Sequence, residues 1–179
     1  MKTLRCFVLV SVATTAAFSQ NPLSVSQTVF YRAVSNNVLA AAEKMPEENY
    51  SFKPTPDVRS FGQIVGHTVD AQSLYCSAAA GEKPPMVDVE KTKTSKADLV
   101  QALKDTVAYC GKIYAGMTDD QAAALVKLGR EWPKLTLLTM NTAHLDEHYG
   151  NMVTYMRLKG LVPPSSEPRK PMPTPAKTN

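Results

Sequence analysis

The 179-residue chain has 20 basic and 16 acidic residues, three histidines and three cysteines. A hydrophobic content of 44% and a charged content of 20% exclude disorder over most of its length. Residues 20–163 contain 15 basic and 15 acidic side chains. This balance excludes a generic nucleic-acid-binding protein, which would carry a concentrated basic stripe. A chain of this size suits one domain with a substantial hydrophobic core.

Residues 1–19 have the features of a secretory signal peptide. Lys2 and Arg5 precede a short apolar run from Cys6 to Val12, and small residues follow up to Ser19. The run is shorter than the ~20 residues that span a bilayer, so we expect cleavage near Ser19 rather than a retained membrane anchor. We therefore expect an exported protein, periplasmic or extracellular, that does not associate with a membrane once the signal peptide is cleaved.

Helical periodicity predicts the first two of four long helices. The first covers about Ser26 to Lys44. The second begins at Ser60, because Ser followed three residues later by Gln63 fits a capping box, and it ends at Gly81. No strand is predicted anywhere in the chain.

The second half of the chain predicts two more helices. The third begins at Ser95 and continues to about Met117, with Asp98 in its first turn. Residues 122–128 are predicted to form one or two helical turns. The fourth begins near Trp132, has Pro133 in its first turn and continues to Lys159.

These elements predict an all-α fold, a four-helix bundle over residues 20–163, followed by a proline-rich disordered tail over residues 164–179. About 14 residues join helices two and three and could reach roughly 45 Å. A 20-residue helix is only about 30 Å long, so a crossover with the two helices parallel is feasible. Cys76 and Cys110 would then lie at matching depths, which would permit a disulfide; two buried free thiols are the alternative, and the sequence does not decide between them.

The three histidines are the main candidates for chemistry. His144 and His148 are four residues apart, so both imidazoles lie on one face of helix four. The intervening Glu147 stands in the wrong order for the His-Glu-x-x-His motif of zinc proteases. His67 lies on an apolar stretch of helix two, where a lone histidine is usually a core residue. With all three on two facing helices, we predict a single metal site.

In this arrangement the three histidines resemble those of the DinB/YfiT-like superfamily. Residues 149–164 close the helical region and finish with the segment Gly160 to Pro164. These residues resemble the corresponding part of that family as well. Residues 49–63 are similar to the family's entry into helix two. The resemblance covers about residues 27–164.

The resemblance implies an up-down-down-up bundle and a divalent metal ion held by His67, His144 and His148. Zinc is the first expectation for three imidazoles, and nickel, manganese or iron would also suit them. Family members include transferases and isomerases that use a low-molecular-weight thiol. An exported protein would differ from those relatives in its location, because they are cytosolic.

Four polar residues lie one turn from the predicted ligands: Gln63, Asp70, Asn141 and Asn151. Asp70 is the candidate catalytic residue, because an inward-pointing carboxylate could orient an imidazole or act as a base. The alternative for Asp70 is a solvent-facing helix acid.

The sequence thus favours an exported metal-dependent hydrolase or transferase that acts on an unknown small-molecule substrate. A non-catalytic bundle that binds a metal or a small ligand is the first alternative, and a helical interaction protein is the second. No nucleic-acid partner is expected, and we allow for a homodimer because bundles of this size often pair.

Overall fold

A computed structural model describes residues 21–168, so the predicted signal peptide lies outside the described residues. The described chain is mostly helical, as predicted, with one small sheet. All four long predicted helices are present. In chain order the elements are α1 Pro22–Lys44, a 3-10 turn Glu47–Asn49, α2 Phe61–Ala80, α3 Val89–Thr92, α4 Lys96–Gly116, α5 Asp119–Ala122, β1 Leu125–Leu128, β2 Arg130–Pro133, α6 Lys134–Leu158 and a 3-10 turn Pro164–Ser166.

Local capping signals determine where α2 and α4 begin. The hydroxyl of Ser60 accepts the backbone N–H of Gln63 at 3.2 Å, and the Gln63 side chain accepts the backbone N–H of Ser60 at 2.8 Å. Ser95 caps α4 in the same way, accepting the N–H of Asp98 at 3.1 Å. Gly81 ends α2 with a left-handed φ of 76°. These three predicted boundaries are confirmed.

The prediction that the chain contains no strand was wrong. Residues 125–128, predicted as helical turns, form β1 and pair antiparallel with β2, with Val126 opposite Trp132. Gly129 makes the turn with a φ of 72°, a conformation that suits glycine. The apolar run is too short to sustain a helix, and the hairpin instead packs Trp132 beneath Arg130, whose guanidinium lies 3.8 Å from the ring centroid. Helix α6 therefore begins after Pro133 rather than before it.

The core lies between the four long helices. Helix α2 packs against α4 and α6, and α1 packs against the same two helices. Near its start, α2 meets the start of α4, because a Cβ on Gly62 would lie 3.4 Å from Leu99 Cδ1. Lys96, at the start of α4, donates to the carbonyl of Glu43 at the end of α1. Among the largest side chains that are fully buried are Tyr31, Tyr114, Phe61, Leu103, Leu137, Leu145, Met152 and Met156.

A disulfide joins α2 to α4. Cys76 and Cys110 are bonded, with their Cα atoms 5.5 Å apart, and neither residue is exposed. Of the two alternatives for these cysteines, the structure contains the disulfide. The two cysteines lie at similar positions counted from the starts of α2 and α4.

The prediction that disorder begins at residue 164 was wrong for the first residues of the tail. Residues 164–166 form a 3-10 turn, and the N–H of Ser165 donates to the hydroxyl of Tyr149 at 2.9 Å. Glu167 forms an ion pair with Lys44 of α1. Proline content alone predicted disorder here, but these contacts fasten residues 164–167 to the domain. Residues 169–179 lie outside the described part of the chain.

Among residues 21–168, no helix combines the length and the apolar character that a membrane span requires.

Candidate metal centre

The packing of α2 against α6 brings all three histidines together. The Nε2 atom of His144 lies 3.2 Å from Nε2 of His67 and 3.1 Å from Nε2 of His148. All three candidate donor atoms lie within 4.8 Å of one another. The i, i+4 spacing aligns the pair on α6, and the α2–α6 contact supplies the third imidazole from across the core.

Two of the three nitrogen separations suit a tetrahedral site for a divalent ion. With Zn–N bonds of about 2.0–2.1 Å, two nitrogen ligands on a tetrahedral ion are separated by roughly 3.3 Å. The two Nε2 separations at His144, 3.2 and 3.1 Å, are close to that value. Three imidazole nitrogens form a donor set that suits zinc and several other first-row ions. A set of three would leave at least one coordination position for another molecule.

The surroundings of the pair on α6 favour neutral imidazoles, the form that binds metals. Burial, together with the neighbouring His144 and His67, lowers the pKa of His148 to about 4. Burial, followed by the neighbouring His67, also lowers the pKa of His144. Both side chains therefore keep their nitrogen lone pairs free at neutral pH.

The low pKa of His148 predicts how the metal-free protein responds to acid. Histidine in an unfolded chain has a pKa of about 6.5, whereas His148 in the folded protein has a pKa of about 4. Between these values the unfolded state binds more protons, so the free energy of unfolding decreases as the pH falls. We expect the melting temperature of chelator-treated protein to decrease from about pH 7 to about pH 5, and to decrease less in a His148→Gln variant.

Calorimetry at the two pH values measures this difference. The groups that face His148 are the other two histidines, Arg59 and Glu90, and they are unchanged in the variant. Identical pH dependence in the wild type and in His148→Gln would contradict the assignment of a depressed pKa to this imidazole.

Two polar side chains contact the outer nitrogens of the site. Nδ1 of His67 lies 3.1 Å from Oε2 of Glu90, whose Oε1 accepts a hydrogen bond from Arg59 Nε at 2.9 Å. Nδ1 of His148 lies 3.3 Å from Nδ2 of Asn151. Ligation through Nε2 leaves the proton of His148 on Nδ1, which requires the Asn151 amide to offer its oxygen.

Sequence reasoning missed Glu90. Residues 82–94 lack periodicity, and nothing local indicates that they return to α2. One signal was present in Gly66, next to His67, because a glycine on a helix permits close approach of another segment. A Cβ on Gly66 would lie 2.6 Å from the Cα of Glu90, so the approaching segment is α3.

The four predicted neighbours of the ligands have different roles. Asn151 contacts an imidazole, whereas Gln63 caps α2 and Asn141 is fully buried beside Tyr114 in the core. The two oxygens of Asp70 accept the backbone N–H groups of residues 89 and 90, at 2.8 and 3.0 Å. These hydrogen bonds direct the Asp70 carboxylate to the backbone of α3, which is neither the candidate role at an imidazole nor the alternative of a solvent-facing acid.

A cavity of about 580 Å³ opens beside the histidines. His148 and Asn151 form part of its wall, together with Arg59, Glu147 and Tyr155. A second cavity, of about 620 Å³, shares Gln63, Glu90 and Lys53 with the first. His148 thus borders a space large enough for a small organic molecule.

Comparison with known proteins identifies the family. The model of the DinB superfamily matches residues 31–152, about two thirds of the chain, and this range includes all three histidines. The chain belongs to the DinB superfamily. The YjoA protein of Bacillus subtilis strain 168, described as uncharacterized, is 27% identical to this DinB-superfamily chain over 139 residues, which cover 76% of this chain and 88% of YjoA.

Solved structures of DinB-like proteins share the fold. A DinB-like protein from Bacillus cereus ATCC 10987 superposes with a TM-score of 0.66 at 18% identity, covering 75% of this chain and 93% of its own. A DinB-like protein of Bacillus subtilis, YjoA, gives a TM-score of 0.62 at 22% identity, covering 83% and 96% of the two chains. A conserved protein from Enterococcus faecalis gives a TM-score of 0.64 at 14% identity, with coverages of 75% and 95%.

Proposed function

We propose that this DinB-superfamily protein is an exported protein that holds one divalent metal ion through His67, His144 and His148. We further propose that it acts as a metal-dependent hydrolase or transferase on a small molecule. The observation that carries the proposal is the convergence of the imidazole nitrogens, at separations of 3.1 and 3.2 Å that suit a tetrahedral ion.

Three neutral ligands leave the charge of a bound divalent ion uncompensated. Such an ion supplies Lewis-acid chemistry, which can polarise a carbonyl, activate water or bind a thiolate. Zinc is the first candidate, followed by nickel, manganese and iron. The residues that line the 580 Å³ cavity would orient the substrate, with Arg59 contributing a positive charge and Glu147 a negative charge to its wall.

The helix contacts support an up-down-down-up order for the long helices. The starts of α2 and α4 meet at Gly62 and Leu99, whereas Lys96 at the start of α4 meets the end of α1. Tyr155, near the end of α6, donates to the carbonyl of Arg59 just before α2. In that order α2 and α6 run antiparallel, and His67 in the first half of α2 meets the pair near the middle of α6.

The disulfide supports export. Structural disulfides form and persist in secreted, periplasmic and extracellular proteins and are rare in the reducing cytosol. Cys76 and Cys110 are bonded and fully buried. An exported location also separates the protein from the cytosolic thiols that some family members use, so a hydrolytic reaction suits it better than thiol transfer.

A non-catalytic bundle that binds a metal or a small ligand is the second candidate. The carboxylates near the histidines already have other partners, which favours this second candidate. Glu90 contacts His67 and Arg59, and Asp70 caps α3. A panel of ester, amide and phosphoester substrates, assayed with zinc-loaded and zinc-free protein, separates the two candidates. Zinc-dependent turnover supports the enzyme, and tight binding without turnover supports the binding protein.

Metal titration tests the proposed ion directly. Chelator-treated protein is titrated by calorimetry with zinc, nickel, manganese and, without oxygen, ferrous iron. We expect one ion per chain for at least zinc, and a higher melting temperature in the loaded protein, because a ligand that binds only the folded state stabilises it. Failure of all four ions to bind would refute the proposed function.

A further inference from the structure

The short helix α3 interrupts the crossover between α2 and α4 and touches the metal centre. We propose that α3 is a positioning element, in which Glu90 orients His67 so that Nε2 faces the ion while Asp70 and Gly66 hold Glu90 in place. The role of the ion rests on the function proposed above, whereas the orientation of His67 is a property of the protein alone.

Glu90 determines which nitrogen of His67 carries the proton. An ionised carboxylate only accepts hydrogen bonds, so Nδ1 of a neutral His67, 3.1 Å from Oε2, must donate to it. The lone pair of the imidazole is then on Nε2, the atom that lies 3.2 Å from Nε2 of His144. A carboxylate on the outer nitrogen of a metal-binding histidine fixes its tautomer and increases its basicity as a ligand.

The carboxylate of Glu90 is itself held on its other side. Oε1 accepts from Arg59 Nε at 2.9 Å, and the carbonyl of Arg59 accepts the hydroxyl of Tyr155 at 2.8 Å. The side chain of Glu90 is 23% exposed, so it is partly shielded from water. Arg59 thus links Glu90 to α6, the helix that provides the other two histidines.

Asp70 and Gly66 fix the backbone of α3 against α2. The Asp70 carboxylate accepts the N–H groups of Val89 and Glu90, at 2.8 and 3.0 Å, and satisfies two backbone donors of the first turn of α3. Val89 is 3% exposed and anchors the helix in the core. Gly66 permits the contact, because a Cβ at that position would approach the Cα of Glu90 to 2.6 Å.

The tautomer of His67 in the metal-free protein is the first test. Long-range ¹H–¹⁵N correlation spectra of ¹⁵N-histidine-labelled protein at about pH 8, well above the free imidazole pKa of about 6.5, distinguish the two neutral tautomers. We expect wild-type His67 to be protonated on Nδ1 and to shift toward the Nε2-protonated form in Glu90→Ala. Glu90→Gln should restore the wild-type tautomer, because its amide oxygen can still accept from Nδ1.

Zinc affinity is the second test. Glu90→Ala should weaken zinc binding by about 10- to 100-fold, and Glu90→Gln should weaken it less. Asp70→Ala and Gly66→Ala should change the tautomer and the affinity in the same direction, because both displace α3 without touching an imidazole. Asp88→Asn is the matched control, since it removes one negative charge from the same segment and Asp88 pairs with Lys91.

An unchanged His67 tautomer in Glu90→Ala would overturn the proposal, as would zinc affinity equal to that of the wild type. Equal losses in Asp88→Asn and Glu90→Ala would also overturn it, because the effect would then be one of charge alone. If the wild-type protein binds none of the four ions, the proposed function fails, and the tautomer measurement still decides the role of Glu90.

Discussion

Replacement of His144 by alanine is expected to reduce zinc affinity by at least about 100-fold. Zinc sites with four protein ligands provide roughly 10–16 kcal/mol of binding free energy, which corresponds to about 3 kcal/mol for each ligand. Loss of about 3 kcal/mol is a factor of roughly 100 in the dissociation constant. His144 is the common partner in both short Nε2 contacts, so its removal takes away both of them. Competition titration with a chromophoric chelator measures the change.

The fold should survive this replacement, because His144 is not among the residues of the hydrophobic core. Circular dichroism of His144→Ala is therefore expected to match that of the wild type. Asp146→Asn is the control, since Asp146 lies on the exposed face of α6 between the two histidines. Wild-type zinc affinity in His144→Ala would contradict the three-histidine site, and weakened binding in Asp146→Asn would point to a general charge effect.

Removal of the disulfide is expected to cause the largest loss of stability. The bond closes a loop with a sequence separation of 34 residues. Loop-closure entropy predicts a contribution of about 4 kcal/mol for a loop of that length. In a domain of this size each kcal/mol changes the melting temperature by about 2–4 °C. We therefore expect the Cys76→Ala/Cys110→Ala double variant to melt roughly 8–16 °C below the wild type.

Calorimetry of the double variant under oxidising conditions measures this loss. Reductant should leave the melting temperature of the double variant unchanged. The same reductant should lower the melting temperature of the wild type, because the Cys76–Cys110 bond can be reduced once the chain unfolds. A wild-type protein with two titratable thiols after unfolding in the absence of reductant would contradict the disulfide.

Features encoded in a few adjacent residues could be predicted from the sequence. Ser60 and Gln63 form a capping box within a single turn, so the start of α2 requires no tertiary information. The same is true of the face shared by His144 and His148, because helical spacing alone aligns them. Their meeting with His67 required one further step, the expectation that α2 and α6 face each other.

Features that depend on tertiary contacts could not be predicted. Residues 125–128 are apolar enough for either a helix or a strand, and their pairing with residues 130–133 decides between the two. Glu90 is 23 residues from His67 in an aperiodic segment, and it is Asp70 and Gly66 that bring it there. Asp70 was a candidate to contact an imidazole because it is one helical turn from His67, with a solvent-facing acid as the alternative. Spacing along a helix could not show that a second segment occupies its carboxylate.

The most direct test of the metal centre is a crystal structure of the zinc-loaded protein, with anomalous data collected on both sides of the zinc absorption edge. We predict one anomalous peak per chain, about 2.0–2.1 Å from Nε2 of His67, His144 and His148. We also predict that the Asn151 amide presents its oxygen to Nδ1 of His148. An anomalous peak elsewhere on the chain, or one bound to fewer than three of these histidines, would contradict the account.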